Sequence, residues 1–344
     1  MTDRIVASRE GIDTRAGLDA WFAHKGAEQA KVSFLPGPQA TGYSHETIVF
    51  ELAGEKLVAR VEPLGEHNVF PDPDLSVEFR LMEAIAEADV PLPRLIGYET
   101  DSSFLGAPFY VMEHLDGLVP PDSPPYCMGG WLYDSTPGDR AAVWWNGLEA
   151  MTRVHLVDRR GLEFVNCGRP IGFEGELNYW DGYIAFCGGD IAAPARRAWD
   201  WLTAKAPSDT STALCWGDSR LGNQMFSGTN CIALLDWEMA CLSDPVEDLA
   251  WFVYFDDVFS SGLGVPRLDG IPTREESIAR YEEINGTSVK NFDYFEVFAG
   301  VRFAVIMQRL FTLQAEMGLA TAGSPTDNFV TAHLDKMCDE KGIP

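Results

Sequence analysis

The chain has 344 residues and a formal net charge of -26, from 26 Lys and Arg against 52 Asp and Glu. Hydrophobic residues make up 46% and charged residues 23%, which excludes the disordered, collagen-like and coiled-coil classes and is enough to build a sizeable core. The acidic balance repels phosphate polymers and anionic lipid, so it argues against nucleic acid and membrane partners. It suits a cationic small molecule, but a solubilising acidic surface is the favoured explanation.

The seven cysteines form no C-x-x-C pair and no zinc-binding spacing, and read as reduced thiols. Met1 to Phe22 contains no apolar signal core, and no stretch approaches 18 uncharged apolar residues, so a cytoplasmic location is expected by default.

In chain order, residues 12–30 place Leu18, Trp21 and Phe22 at helical spacing, which predicts a short leading helix. Thr47 to Leu52 and Lys56 to Val61 are β-branched and apolar runs separated by Ala53, Gly54 and Glu55, the pattern of a β-hairpin. After the P-D-P-D loop at 71–74, Ser76 is expected to cap a helix to about Ala88. Val77, Leu81 and Ile85 share one face of it, and Glu78 lies one residue round from that face. Two strand-like runs follow at 90–99 and 107–113. Residues 118–138, with Pro120, Pro121, Pro124, Pro125 and Pro137, are expected to form neither a helix interior nor a central strand, and read as an insertion or lid loop. Helical patterns then cover 139–157, 176–187, 190–205, 244–255, 274–284 and 291–317, broken by a strand and loop region at 213–243. The expected architecture is α+β, with a β-rich N-terminal lobe and a larger, mainly helical C-terminal lobe.

The region 213–243 carries the chemistry. Leu214 to Asn223 reads L-C-W-G-D-S-R-L-G-N and Cys231 to Glu238 reads C-I-A-L-L-D-W-E. Asp218 and Asn223, five apart, can place a carboxylate beside an acceptor hydroxyl and an amide oxygen beside a hard cation, and Asp236 can meet the same cation from the next turn. Taken singly, each also reads as an ordinary turn residue beside glycine. His155 reads as a packing histidine, with no nucleophile motif nearby. Trp144, Trp145, Tyr179, Trp180, Tyr183, Trp199 and Trp201 read as core, or with the Pro-rich loop as an acceptor pocket.

These residues resemble the aminoglycoside phosphotransferase (APH)-like family of small-molecule kinases, over about residues 31–315. W-G-D-S-R-L-G-N is similar to the family's catalytic loop, Leu235-Asp236-Trp237-Glu238 to its metal-binding segment, and Asp244 to Trp251 (D-P-V-E-D-L-A-W) to its following helix. That helix is expected to start with a capping box of Asp244, Pro245 and Glu247. The resemblance implies a protein-kinase-like bilobal fold, with a nucleotide-binding lobe at 1–113 and a catalytic and acceptor-binding lobe at 114–344.

It also implies roles for particular residues. Asp218 is the catalytic residue, Asn223 and Asp236 hold Mg²⁺, and ATP or GTP is the donor, seated between the lobes. Gly42 and Ser44 belong to a loop over the phosphates, Arg60 held by Glu78 contacts them, and backbone groups of Glu113, His114 and Leu115 meet the base edge. A surface Arg60 and an exposed Glu78 are the plainer alternatives. Two positions depart from the family pattern: Trp216 stands where His is usual and Arg60 where Lys is usual, so the catalytic loop must be braced differently here. The implied acceptor is the hydroxyl of a small molecule. A cationic aminoglycoside would be drawn by Glu247, Asp248, Asp256 and Asp257; a hydroxyacyl thioester would need a basic patch, for which Arg196-Arg197 is the short run noted. The reading from another class is a pseudokinase that binds nucleotide or ligand without transfer. Oligomeric state is not legible.

Overall fold

A computed structural model describes residues 12–27, 31–35, 45–63, 68–71, 73–319 and 323–344. It divides into two compact units. The first comprises the described residues up to Ala86 together with Pro93–Asp116 and Glu316–Leu319, and the second Glu87–Leu92, Gly117–Ala315 and the described residues beyond Leu319.

The first unit contains α1 (Thr14–His24), β1 (Val32–Phe34), β2 (Glu46–Leu52), β3 (Glu55–Val61), α2 (Leu75–Ala84), β4 (Leu95–Glu99) and β5 (Phe109–Glu113). The strands form one antiparallel sheet in the order β1-β2-β3-β5-β4. The β2–β3 turn has Ala53 at φ 53° and Gly54 at φ 87°, the paired left-handed residues whose twist matches a two-residue hairpin. Leu18, Trp21 and Phe22 of α1 pack with Phe50, Leu57 and Phe109 of the sheet into the unit's core. The cap of α2 is Asp74, whose carboxylate accepts from Ser76 N at 2.8 Å; Ser76 therefore donates its backbone N–H to the cap and is not itself the capping residue. The helix buries Leu75, Glu78, Leu81 and Met82, so Glu78 sits on the packed face rather than beside it.

The second unit contains α3 (Trp131–Asp134), α4 (Pro137–His155), α5 (Phe173–Phe186), α6 (Ala193–Ala204), β6 (Ala213–Cys215), β7 (Gln224–Ser227), β8 (Asn230–Leu234), β9 (Cys241–Ser243), α7 (Val246–Ser260), α8 (Arg274–Asn285), α9 (Phe292–Glu316) and α10 (Phe329–Glu340). β6 pairs with β9 and β7 with β8, both antiparallel. Helix α7 is apolar nearly all round and buries 14 of its 15 residues, which makes it the unit's centre. Trp144, Trp180, Tyr183 and Trp199 are buried in the core, as the first of their two readings expected. All seven cysteines are free thiols, including the register partners Cys215 and Cys241.

Three sequence expectations change in this unit. The segment 118–138 is not a free-standing lid: residues 131–134 are helical, Pro137 opens α4, Tyr126 donates to Asp256 at 2.7 Å, and the Cys127 thiol donates to Phe259 O at 2.8 Å. The buried Tyr126 and Cys127 outweigh the loop-forming prolines and tie the segment to α7. The capping box of Asp244, Pro245 and Glu247 does not form. Asp244 accepts from Val246 N at 3.0 Å and Ser211 N at 2.8 Å, while Glu247 turns inward to accept from Ser243 Oγ. Finally α10, with its Asn328–Thr331 capping box, has no counterpart among the expected helices.

Candidate active site

Strand β6 ends at Cys215, and the chain then turns sharply through Trp216, Gly217 and Asp218. The turn is held from below by Asp248 of α7, whose two carboxylate oxygens accept from the backbone N–H groups of Trp216 at 2.6 Å and Gly217 at 2.9 Å. Asp248 is fully buried, and a buried carboxylate is tolerated when donors surround it. His155 supplies another contact, with Nε2 3.0 Å from Asp248 and Nδ1 2.9 Å from the Tyr281 hydroxyl. This histidine therefore packs and orients, as its sequence context suggested. Ser219 Oγ donates to the carbonyl of Asp248 at 2.8 Å. Gly217 lies at φ 92°, and a Cβ there would strike the carbonyl of Met239, so only glycine allows the two turns to meet.

The Trp216 side chain is fully buried. Its indole N–H donates to the carbonyl of Leu235 at 3.0 Å, tying the Asp218 turn to the strand end that carries Asp236. Asp236 has φ 64°, a left-handed conformation that costs a non-glycine residue of order 1 kcal/mol and concentrates at functional turns. Leu235 N donates to Asn223 O at 2.9 Å, which brings the neighbours of Asp236 and Asn223 together.

Asn223 donates its Nδ2 to Asp218 Oδ2 at 2.7 Å and to Asp218 O at 3.1 Å. The amide oxygen is thereby the Asn223 atom turned to other partners. This amide oxygen and the Asp236 carboxylate are both hard oxygen donors, the chemistry Mg²⁺ prefers. Asp218 also accepts from Arg220 Nε at 3.0 Å, and Arg220 pairs in turn with Asp122 of the Pro-rich segment. Burial works against the Arg220 charge, yet the carboxylates of Asp122 and Asp218 outweigh it and raise its pKa. A Cβ on Gly222 would strike both Arg220 Nη1 and Asp122 Oδ1, so this glycine makes room for the ion pair.

In the first unit Arg60 lies on β3 with its guanidinium 3.9 Å from Glu78 and 3.2 Å from His45 Nδ1, and Glu78 accepts from the Tyr110 hydroxyl at 2.9 Å. Glu78 is 4% exposed, which removes the plainer alternative of an exposed helix acid. Glu113 and His114 use their backbone N–H groups within the sheet, donating to Arg94 O at 2.9 Å and Lys56 O at 3.0 Å. Of the three residues expected to meet a base edge, Leu115 is the one whose N–H is not spent in this way. Gly42 and Ser44 lie outside the described residues.

Several neighbours of the expected site residues were given no role by the sequence reading. His45 touches Arg60, Arg220 and Trp251 touch Asp218, and Asp122 reaches the site through Arg220; Arg220 and Trp251 stand within the quoted motifs W-G-D-S-R-L-G-N and D-P-V-E-D-L-A-W. Two expectations about charge are corrected. Glu247, Asp248 and Asp256 are buried at 2%, 0% and 3% exposure, leaving Asp257 as the one surface member of that quartet; they cannot form an acidic surface for a cation. Arg197 is taken up by Asp335, Asp339 and C-terminal carbonyls, so Arg196-Arg197 is no open anion patch, and Arg159-Arg160 is a second basic pair that the sequence reading passed over.

The five-stranded antiparallel sheet of the first unit and the mainly helical second unit are those of a protein-kinase-like fold. A profile of the phosphotransferase enzyme family (APH) matches residues 38–281, and the chain belongs to that family. A solved structure from Ralstonia eutropha, assigned as an aminoglycoside phosphotransferase, shares the fold with a TM-score of 0.70 at 23% identity, covering 94% of this chain and 95% of that one. Among curated proteins the chain is similar to acyl-CoA dehydrogenase family member 10 of Mus musculus, 29% identical over 82% of this chain. It is also similar to member 11 of Homo sapiens, 27% identical over 88%. It spans only 27% and 39% of their respective lengths. No helix among the described residues is long and apolar enough to cross a membrane.

Proposed function

We propose that the protein transfers the γ-phosphoryl group of a nucleoside triphosphate to a hydroxyl of a small molecule. The observation that carries this reading is the hydrogen bond from Asn223 Nδ2 to Asp218 Oδ2, which orients the catalytic carboxylate and the amide oxygen of the cation site with a single contact. Asp218 aligns the acceptor hydroxyl and takes its proton as the acceptor oxygen bonds to phosphorus and the bond to the β-phosphate oxygen breaks, releasing nucleoside diphosphate. Asn223 and Asp236 would hold Mg²⁺, which supplies charge compensation for the phosphate oxygens. Arg60, oriented by Glu78, contacts the phosphates, and the Leu115 N–H meets the base.

For the acceptor, a hydroxyacyl thioester is the reading favoured by the curated relatives, and not by Arg196-Arg197, since Arg197 is taken up by Asp335 and Asp339. The similarity to acyl-CoA dehydrogenase family members covers 82% and 88% of the chain, and burial of Glu247, Asp248 and Asp256 removes the acidic patch that favoured an aminoglycoside. The test is incubation with Mg-ATP and a panel of hydroxyacyl-CoA thioesters, aminoglycosides and amino alcohols, read by mass spectrometry for addition of one phosphoryl group. The expected product is a phosphorylated thioester, absent with Asp218→Ala. Transfer by Asp218→Ala at the wild-type rate would refute the assignment of Asp218, and an aminoglycoside product alone would refute the acceptor.

A further inference from the structure

Asp218 is held on its other oxygen by Trp251, the last residue of the D-P-V-E-D-L-A-W segment, to which the sequence reading assigned no role. Trp251 lies three residues after Asp248 on α7, so the two side chains rise from the same side of the helix. Asp248 binds the backbone of the turn, and the Trp251 indole N–H donates to Asp218 Oδ1 at 2.7 Å. Asn223 donates to Oδ2. Arg220 Nε also donates to both oxygens, at 3.0 Å and 3.1 Å, and Trp251 adds the shortest bond to Oδ1, so the carboxylate cannot rotate without breaking charge-assisted hydrogen bonds. Trp251 is 1% exposed, and its rigid ring offers one donor and no acceptor, so it can make only this kind of contact.

The ring is itself held. The guanidinium of Arg302, from α9, stacks 4.4 Å from the Trp251 ring centroid, and its Nη2 donates to the carbonyl of Gly217 at 2.9 Å. Arg302 also lies over Trp180 and Phe298, 5.0 Å and 5.5 Å from their centroids, and is 2% exposed. One buried cation thus grips both the residue preceding Asp218 and the ring that bonds Asp218. A phenylalanine at 251 would fill the same space and keep the stacking, so packing alone does not require the indole nitrogen.

We propose that Trp251, backed by Arg302, is a positioning residue that sets the rotation of the Asp218 carboxylate for phosphoryl transfer. The proposal rests on the phosphotransferase reading above. Trp251→Phe removes the donor and leaves the ring. Turnover of Mg-ATP, with water as acceptor and with any acceptor found in the panel, should fall about tenfold to a hundredfold, the value of one charge-assisted hydrogen bond. The KM for Mg-ATP and the melting shift produced by Mg-ADP should stay at wild-type values, whereas a merely structural defect would move these with kcat. In protein labelled with ¹⁵N-tryptophan, the indole N–H resonance missing from Trp251→Phe should shift upfield in Asp218→Ala while the other indole signals hold. Wild-type kcat in Trp251→Phe, or an indole resonance indifferent to Asp218→Ala, would overturn the inference. Wild-type turnover in Asp218→Ala would overturn the phosphotransferase reading instead.

Discussion

Arg302 separates two groups of acids that look alike in sequence and differ in every physical respect. On one side, Asp218 keeps 15% of its side chain exposed and receives N–H donors on both oxygens. On the other, Glu247 and Glu176 are 2% and 3% exposed, with Oε atoms within 4.8 Å of one another and Arg302 Nη1 3.9 Å from Glu247. Burial first, and Glu176 second, push the Glu247 carboxyl well above its ordinary range. An acid that is reachable and lined with donors can serve a reacting hydroxyl; a sealed acid beside a second acid is pushed toward its protonated form and serves the core.

The contrast is broken most directly by exchanging charge for amide on each side. Asp218→Asn should lower transfer by about 10²–10⁴-fold with little change in melting temperature, whereas Glu247→Gln should turn over within a few-fold of wild type. Next in size, Asp248→Ala leaves two backbone N–H groups and His155 without their acceptor, and should cost about 3–5 kcal/mol in denaturant unfolding. A loss under 1 kcal/mol would mean that the turn is held by β6 and β9 alone.

A smaller effect comes from pH. The folded pKa of Glu247 lies above 4.5, its value in an unstructured chain, so the folded state keeps a proton that the unfolded state releases. Its stabilising contribution is complete below pH 4.5 and is lost as pH rises toward the folded value. Glu247→Gln cannot lose that proton, and its melting temperature should decline less than that of wild type as pH rises above 4.5. Equal slopes would remove Glu247 as the source. Smallest is Asp122→Ala: the partner of Arg220 is 41% exposed, so stability should change by no more than about 1 kcal/mol, and a larger loss would show that the Pro-rich segment depends on this pair for its anchorage.

Much of this was legible because local spacing and chemistry agree. The β2–β3 hairpin followed from two apolar runs around Ala53-Gly54, and Asp218, Asn223 and Asp236 stood out because their separations are those of two short turns. What escaped the sequence depends on contacts between distant segments. The acids of α7 read as a surface because their helix is apolar on every side, and periodicity cannot tell which way a fully buried helix turns its few polar groups. The N–H groups of Glu113 and His114 are spent on strand pairing, which the sequence does not record. Trp251, named only as the end of the D-P-V-E-D-L-A-W segment, was given no role because a tryptophan in an apolar helix reads as core, and its one polar atom matters only once α7 passes beneath the Asp218 turn. Asp74 rather than Ser76 caps α2 because two good capping residues stand two apart and the packed face decides between them.

The central claim is that Asn223 and Asp236 hold a Mg²⁺-bound nucleotide beside Asp218. Thermal unfolding with Mg-ATP, with ATP plus EDTA and without ligand, for wild type and Asp236→Asn, tests it most directly. A ligand at a hundred times its Kd adds about 2.7 kcal/mol to stability, so wild type should melt several degrees higher with Mg-ATP, and both EDTA and Asp236→Asn should abolish the rise. An equal rise in Asp236→Asn, or one that survives EDTA, would contradict the claim.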